Sequence, residues 1–215
     1  MRVVIADDVM LVRSGIARLL GDHGVDVVGE AGDAAELLRL VAVERPDVAV
    51  VDIRMPPTHT DEGLVAAQRI RRDYPGTAVV VLSQYVEPVY AQRLLADHPG
   101  GVGYLLKERV SDVAVLVDAL HRVHEQESVI DPTIVAQVLR GHPAGSPVGR
   151  LTERERSVLA LMAEGRSNGG IARELVLSER TVEAASASIF RKLGLSAAPD
   201  LNRRVLAVLT LLRGG

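Results

Sequence analysis

The chain has 215 residues and a formal net charge of −3, with 47% hydrophobic and 25% charged residues, a balance that suits a packed globular protein of one large or two small domains. It contains no cysteine, which excludes disulfides, thiolate metal sites and a cysteine nucleophile. No apolar run approaches the length of a membrane span and the start of the chain lacks a signal-peptide pattern, so no membrane partner and a cytoplasmic location are expected.

Aromatic residues make up only 2%, so the core must be aliphatic. Charge is unevenly spread. Residues 1–124 carry 18 acidic and 13 basic side chains, a net of −5, whereas residues 150–215 carry 7 acidic and 11 basic, a net of +4. The first part suits a cation and the second suits nucleic acid.

In chain order, strand-like runs fall near 2–6, 25–30, 48–51, 78–82 and 103–106. Amphipathic stretches near 10–21, 34–44, 63–73, 88–97 and 111–124 alternate with them. Asp33-Ala34-Ala35-Glu36 reads as a capping box at the second helix. This alternation predicts a doubly wound, five-stranded parallel α/β sheet over residues 1–124, with helices on both faces. The runs are too uniformly apolar for a sheet with one wet side.

Residues 125–149 form the expected linker. Pro132 can open a short helix through Leu139, and the stretch 141–149 is dense in Gly and Pro. Residues 150–215 predict a small all-α domain of four helices. Thr152-Glu153-Arg154-Glu155 is a capping box opening a helix over 152–163. Ser167 caps a short helix ending near Leu175, Ser178 caps one ending at Gly194, and a last helix runs from about Asp200 to Leu212. The second and third, joined by the short Val176-Leu177 turn, make a helix-turn-helix. In the last helix, Leu201, Val205, Val208, Leu209 and Leu212 share a stripe. Leu206 and Leu211 fall off it, and are equally consistent with core packing and with a dimer contact.

Four of the strand runs stop at residues able to do chemistry: Asp7-Asp8, Asp52, Ser83 and Lys107, the last being one of only two lysines. Each alone is an ordinary turn, cap or surface residue. Together, at the carboxyl ends of parallel strands, they sit where open α/β sheets bind ligands. Asp7, Asp8 and Asp52 offer the hard oxygen donors that Mg²⁺ prefers. Asp52 is then placed to attack a phosphoryl group, with Lys107 balancing its charge and Ser83 donating to it.

Asp7-Asp8, Asp52-Ile53-Arg54-Met55-Pro56, Leu82-Ser83 and Gly103-Tyr104-Leu105-Leu106-Lys107 resemble the receiver domain of two-component response regulators across residues 1–124. The resemblance implies that Asp52 accepts phosphate from a sensor histidine kinase. It implies that Asp7, Asp8, Asp52 and the backbone carbonyl of Arg54 bind Mg²⁺. Ser83 and Tyr104 become the switch pair, and Lys107 contacts the phosphate. Two departures stand out: the long loop Pro57-Thr58-His59-Thr60-Asp61-Glu62, and Glu108 where many receivers have proline.

Leu151-Thr152 through Leu195 resembles the LuxR-type helix-turn-helix of the NarL/FixJ class. The shared residues are Gly165, Ser167-Asn168, Ile171-Ala172, Leu177-Ser178, Thr181-Val182, Ile189 and Lys192-Leu193-Gly194. It implies that helix 178–192 enters the major groove of double-stranded promoter DNA, with inverted half-sites and a homodimer formed on phosphorylation. Val182, Ala185, Ile189 and Leu193 make its inner stripe. Arg180, Arg191 and Lys192 are expected on phosphates. Glu183, Ala184 and Ala187 face the bases, and Thr181 and Ser188 complete the set. Ala185 replaces a usual histidine, and Gly169-Gly170 replaces larger residues. The expected function is a DNA-binding transcriptional response regulator that accepts, and itself loses, a phosphoryl group without being a dedicated enzyme. The alternatives are a phosphorylation-independent regulator or interaction protein and, further off, an aspartyl-phosphate phosphatase.

Overall fold

A computed structural model describes residues 1–95, 100–141, 146–195 and 202–213. The expected linker stretch at 142–145 and the expected helix start at Asp200 lie outside them. By their contacts, the described residues form two units. One spans Met1–Val86 with Gly100–Val129, and the other comprises Glu87–Pro99 with Ile130–Gly215.

The chain alternates as the sequence predicts. The elements run β1 (Arg2–Ala6), α1 (Met10–Asp22), β2 (Asp26–Ala31), α2 (Ala34–Glu44), β3 (Val48–Asp52), α3 (Glu62–Asp73), β4 (Ala78–Ser83), α4 (Pro88–Leu95), β5 (Val102–Leu106) and α5 (Val113–His124). A single 3₁₀ turn, Lys107–Ser111, separates β5 from α5. The sheet has six strands rather than five, in the order β2-β1-β3-β4-β5-β6. The extra strand, β6 (Ser128–Ile130), has only three residues, too few to set up a readable hydrophobic period. After it, Asp131 accepts from the Thr133 N–H and α6 follows at Pro132–Gly141.

The β1–β2, β1–β3, β3–β4 and β4–β5 pairs are parallel. Register fixes what shares the rim. Ala6 lies opposite Val51, so Asp7 and Asp52 are level. Asp52 lies opposite Leu82 and Ser83 opposite Leu106, which brings Ser83 and Lys107 to the same edge. Beneath that edge is an aliphatic core including Val3, Ile5, Val50, Val80, Leu116 and Leu120. β3, β4 and β5 are buried along their whole lengths, as strands covered on both faces must be. Asp33 caps α2 by accepting from the Glu36 N–H. The Glu36 carboxylate returns the bond to the N–H of Gly32, one residue before the position a full capping box uses.

In the second unit, α4 buries Ala91, Leu94 and Leu95 and touches α6 and α10 (Arg203–Arg213). α7 (Glu153–Ala163), α8 (Asn168–Glu174) and α9 (Glu179–Lys192) complete it. Gly169 and Gly170 lie inside α8, behind its Ser167 cap. α10 meets α4, α6, α7 and α9, so helices flank it on several sides. Leu211 is therefore fully buried, a core residue of this unit, while Leu206 is half-buried.

Thr152 and Glu155 form the predicted capping box: the Glu155 N–H donates to Thr152 Oγ1, and Glu155 Oε2 accepts from the Thr152 N–H at 2.7 Å. The same carboxylate holds α9 from behind, accepting from Ser188 Oγ at 2.8 Å and Lys192 Nζ at 2.6 Å. Burial works against the Glu155 charge. The Lys192 ammonium, the Thr152 N–H and the Ser188 hydroxyl outweigh it, and hold the carboxyl down at about 2 against an ordinary 4.5.

A carboxyl depressed in the folded state stabilises the fold above its ordinary pKa and loses that contribution as pH falls towards the folded value. Wild type should therefore exceed Glu155→Gln in stability by on the order of 2–3 kcal/mol near neutrality. More than half of that margin should be lost by about pH 3. Paired urea melts at several pH values measure the margin, and one that stays constant with pH contradicts the assignment.

Candidate phosphoryl-acceptor and metal site

Asp7, Asp8 and Asp52 each present a carboxylate oxygen, and all of these oxygens lie within 4.8 Å of one another. Asp7 and Asp52 are almost completely buried, and Asp8 is partly exposed. Lys107 joins the two buried carboxylates, its Nζ lying 2.7 Å from Asp7 Oδ2 and 3.1 Å from Asp52 Oδ2. Asp7 Oδ1 accepts from the N–H of Val9, at the start of α1.

Burial pushes the Asp52 carboxyl above its ordinary value. Lys107 opposes that rise, and the charges of Asp7 and Asp8 add to it. Desolvation works against the Lys107 ammonium, yet its bond to Asp7 and the charges of Asp52 and Asp7 leave its pKa raised. Two buried carboxylates thus share one ammonium, and the third, Asp8, lies within reach of both, so the cluster gathers more carboxylates than ammonium groups. A divalent cation with oxygen ligands fits that donor set.

Above the carboxylates opens a cavity of about 180 Å³, lined by Asp8, Asp52, Arg54, His59, Ser83 and Gln84 among others. Of the residues expected at the rim, Asp8, Asp52, Arg54 and Ser83 line it, but not every side chain is turned towards it. Ser83 Oγ donates to the Tyr85 carbonyl at 2.8 Å and accepts from the Tyr85 N–H, so it closes its own loop. The Arg54 guanidinium lies over the Tyr85 ring, 4.6 Å from its centre. Tyr104 is fully buried in β5.

Two features of the site are missed wholly or in part by the sequence, the second being the long loop, whose contacts the sequence does not show. The first is Gly63, in the first turn of α3. A Cβ there would lie 1.7 Å from the Asp52 carbonyl oxygen, while the Gly63 N–H donates to the Ile53 carbonyl at 2.9 Å. The helix start is pressed against the end of β3, and only glycine fits. The one available signal was a glycine opening a helix that did not need one. The second is the loop from Pro57 to Asp61. The Glu62 carboxylate accepts from the N–H groups of Thr58 and Thr60 and from the Thr58 hydroxyl. That hydroxyl is the chief cause holding Glu62 down at about 2. Within the loop, His59 Nδ1 lies 3.3 Å from Asp8 Oδ2.

On α9, the expected DNA-facing residues divide. Arg180, Glu183, Ala184, Ala187 and Arg191 are exposed. Thr181 is half-buried, its hydroxyl 2.8 Å from that of Ser178, the helix cap. Ser188 and Lys192 turn inward to Glu155. Of the expected inner stripe, Val182, Ile189 and Leu193 are buried and Ala185 is half-buried; Ser186 and Phe190 join the buried face.

The model of the response regulator receiver domain matches residues 3–121, and that of the luxR family of bacterial regulatory proteins matches residues 149–205. The chain belongs to the response regulators. It couples a receiver domain to a luxR-type DNA-binding domain and acts in transcription regulation. It is 33% identical to the oxygen regulatory protein NreC of Staphylococcus carnosus over 211 residues, 94% of each chain. Its identity to NreC of Staphylococcus aureus is 32% over the same span. Among solved structures, RcsB of Salmonella typhimurium matches with a TM-score of 0.56 and 27% identity over 97% of each chain. A structure of two RcsB dimers bound to two parallel DNAs matches at 0.55 and 28%, covering 100% of this chain and 98% of that one. No helix among the described residues is long and apolar enough to cross a membrane.

Replacing Gly63 tests the close approach of α3 to Asp52. Gly63→Ala should cost about 1–3 kcal/mol, the usual scale for an overpacked position. It should also slow acceptor chemistry at Asp52, because the strand end must move. Denaturant melts and acetyl phosphate labelling report the two effects. Wild-type values in both would show that the helix start yields without strain.

Proposed function

We propose that Asp52 is the phosphoryl acceptor and that Asp7, Asp8, Asp52 and the Arg54 carbonyl hold Mg²⁺. The observation that carries this is the buried Asp7–Lys107–Asp52 bridge at the carboxyl rim of the sheet. A phosphohistidine of a sensor kinase is the natural donor for such a site. One Asp52 carboxylate oxygen attacks phosphorus, forming the O–P bond as the N–P bond to histidine breaks. The electron pair leaves with the nitrogen, which takes a proton. When bound, the cation neutralises charge on the transferring group. Lys107 is already within reach of Asp52 and stays with the phosphorylated side chain as its counter-charge. Ser83 reaches the phosphate by giving up its bond to Tyr85, and Tyr104, buried in β5, is its partner in the switch pair; that exchange supplies a local switch.

The output is sequence-specific binding of promoter DNA through the exposed face of α9, by a homodimer on paired half-sites. Support comes from the basic charge of the second part of the chain, the exposed Arg180 and Arg191, and the dimeric RcsB–DNA assemblies. Phosphorylation of Asp52 raises the population of the binding-competent state by the new interactions it makes. The chain is a regulator with a self-limiting phosphoryl group, not a dedicated enzyme, and works in the cytoplasm.

Asp52→Asn should abolish labelling by acetyl phosphate in Mg²⁺ with the fold intact, whereas Asp8→Asn should weaken metal binding and slow labelling. Hydroxylamine-sensitive labelling that survives in Asp52→Asn removes the acceptor assignment.

The two faces of α9 predict different phenotypes. Arg180→Ala or Arg191→Ala should lower the salt slope of DNA binding by about one unit, leaving stability unchanged. Lys192→Ala should cost about 1–2 kcal/mol of stability, because Glu155 loses its charged partner. Binding isotherms at graded salt, beside thermal melts, separate the two. A stable Lys192→Ala with a reduced slope would place that lysine on the phosphates instead.

A further inference from the structure

Lys107 pairs with two of the three carboxylates, Asp7 and Asp52. The third, Asp8, faces an imidazole instead: His59 Nδ1 lies 3.3 Å from Asp8 Oδ2. His59 also lines the cavity shared by Asp8, Asp52 and Arg54. It comes from the loop by which this chain departs from the usual receiver pattern. The loop is tied on both sides: the His59 N–H donates to the Met55 carbonyl at 3.0 Å, and Glu62 staples Thr58 and Thr60. The backbone at His59 is left-handed, φ +56°, a conformation that histidine tolerates better than most residues.

Two cis ligands on a six-coordinate ion with bonds of about 2.1–2.2 Å stand about 3 Å apart. The separation of His59 Nδ1 and Asp8 Oδ2, 3.3 Å, is close to that value, so one ion can span this pair, while His59 stands outside the tighter group of the three carboxylates and swings towards them to share their ion. We propose that His59 is a nitrogen ligand of the divalent ion at the acidic rim, and that it shifts the site from pure oxygen coordination towards first-row transition ions, which accept imidazole more readily than Mg²⁺ does, with Mn²⁺ as the paramagnetic probe of that class. The proposal rests on the metal reading of Asp7, Asp8 and Asp52. Mg²⁺ prefers carboxylate, carbonyl and water, whereas first-row transition ions gain from an imidazole donor. The chain thus carries a specificity-determining ligand, and the ratio of the two ions sets how fully the receiver is loaded.

The full-length protein, unphosphorylated, is titrated with Mn²⁺ and with Mg²⁺ by calorimetry. The Mn²⁺ complex is then examined by electron spin-echo spectroscopy. His59→Asn is the paired variant, because asparagine also tolerates a left-handed backbone. It should weaken Mn²⁺ binding about tenfold and change Mg²⁺ binding less than twofold, a loss of about 1.4 kcal/mol for the one ion. The wild-type Mn²⁺ signal should carry nitrogen modulation that changes on labelling with [¹⁵N]histidine and is missing from His59→Asn. Mn²⁺ bound by wild type without histidine-dependent modulation, or an equal effect of the variant on both ions, overturns the His59 assignment and leaves the acidic site standing. Failure of wild type to bind either ion overturns the acidic site itself, and His59 with it.

Discussion

Two buried carboxylates lying level on neighbouring strands repel one another, and what makes that tolerable is the ammonium of Lys107 between them. The pairing is long-range, one hundred residues from Asp7 to Lys107, and it works only if β1, β3 and β5 end at the same height. The apolar strands and the parallel register guarantee that height. A slip of one residue in any of them turns the polar terminus into the core or out to solvent. The rest of the rim follows. α3 begins hard against the Asp52 carbonyl because β3 ends there, and the long loop before α3 is held at the mouth of the cavity. One ammonium bridges two of the three carboxylates, and an imidazole faces the third.

The first unit was largely legible because its signals are local. Val3-Val4-Ile5-Ala6 followed by Asp7, or Val48-Ala49-Val50-Val51 followed by Asp52, declares both a buried strand and its polar end within six residues. Capping residues such as Asp33, Thr152, Ser167 and Ser178 likewise act within one turn, and all four accept the bonds their positions predict. What was hidden depends on contacts distant in sequence. β6 is too short to show a period and owes its place to the neighbouring sheet edge. The need for glycine at position 63 comes from backbone eleven residues away. Leu211 is buried because helices on several sides enclose α10, a fact its own periodicity does not contain.

Glu155 illustrates how one residue can be read correctly and still be underestimated. Its spacing from Thr152 announced a cap. That the same carboxylate reaches Ser188 and Lys192, thirty-three and thirty-seven residues on, needed the fold. The site chemistry was legible in the same partial way. Residue types at strand ends named the acidic cluster and its lysine. The side-chain directions of Ser83 and Arg54, and the approach of His59 to Asp8, are settled by loop conformation.

The anchoring of α9 through Glu155 has a consequence for how such a protein can change over generations. The helix is fixed from behind by Ser188, Lys192 and the apolar side chains of Val182 and Ile189. Its outward positions, Arg180, Glu183, Ala184, Ala187 and Arg191, carry little of the fold. They are free to drift, so on the proposed reading of α9 a duplicated copy can acquire a new operator by exchanging a few exposed side chains while its architecture stays put. Glu155 and Lys192 have no such freedom and are bound to change together or not at all.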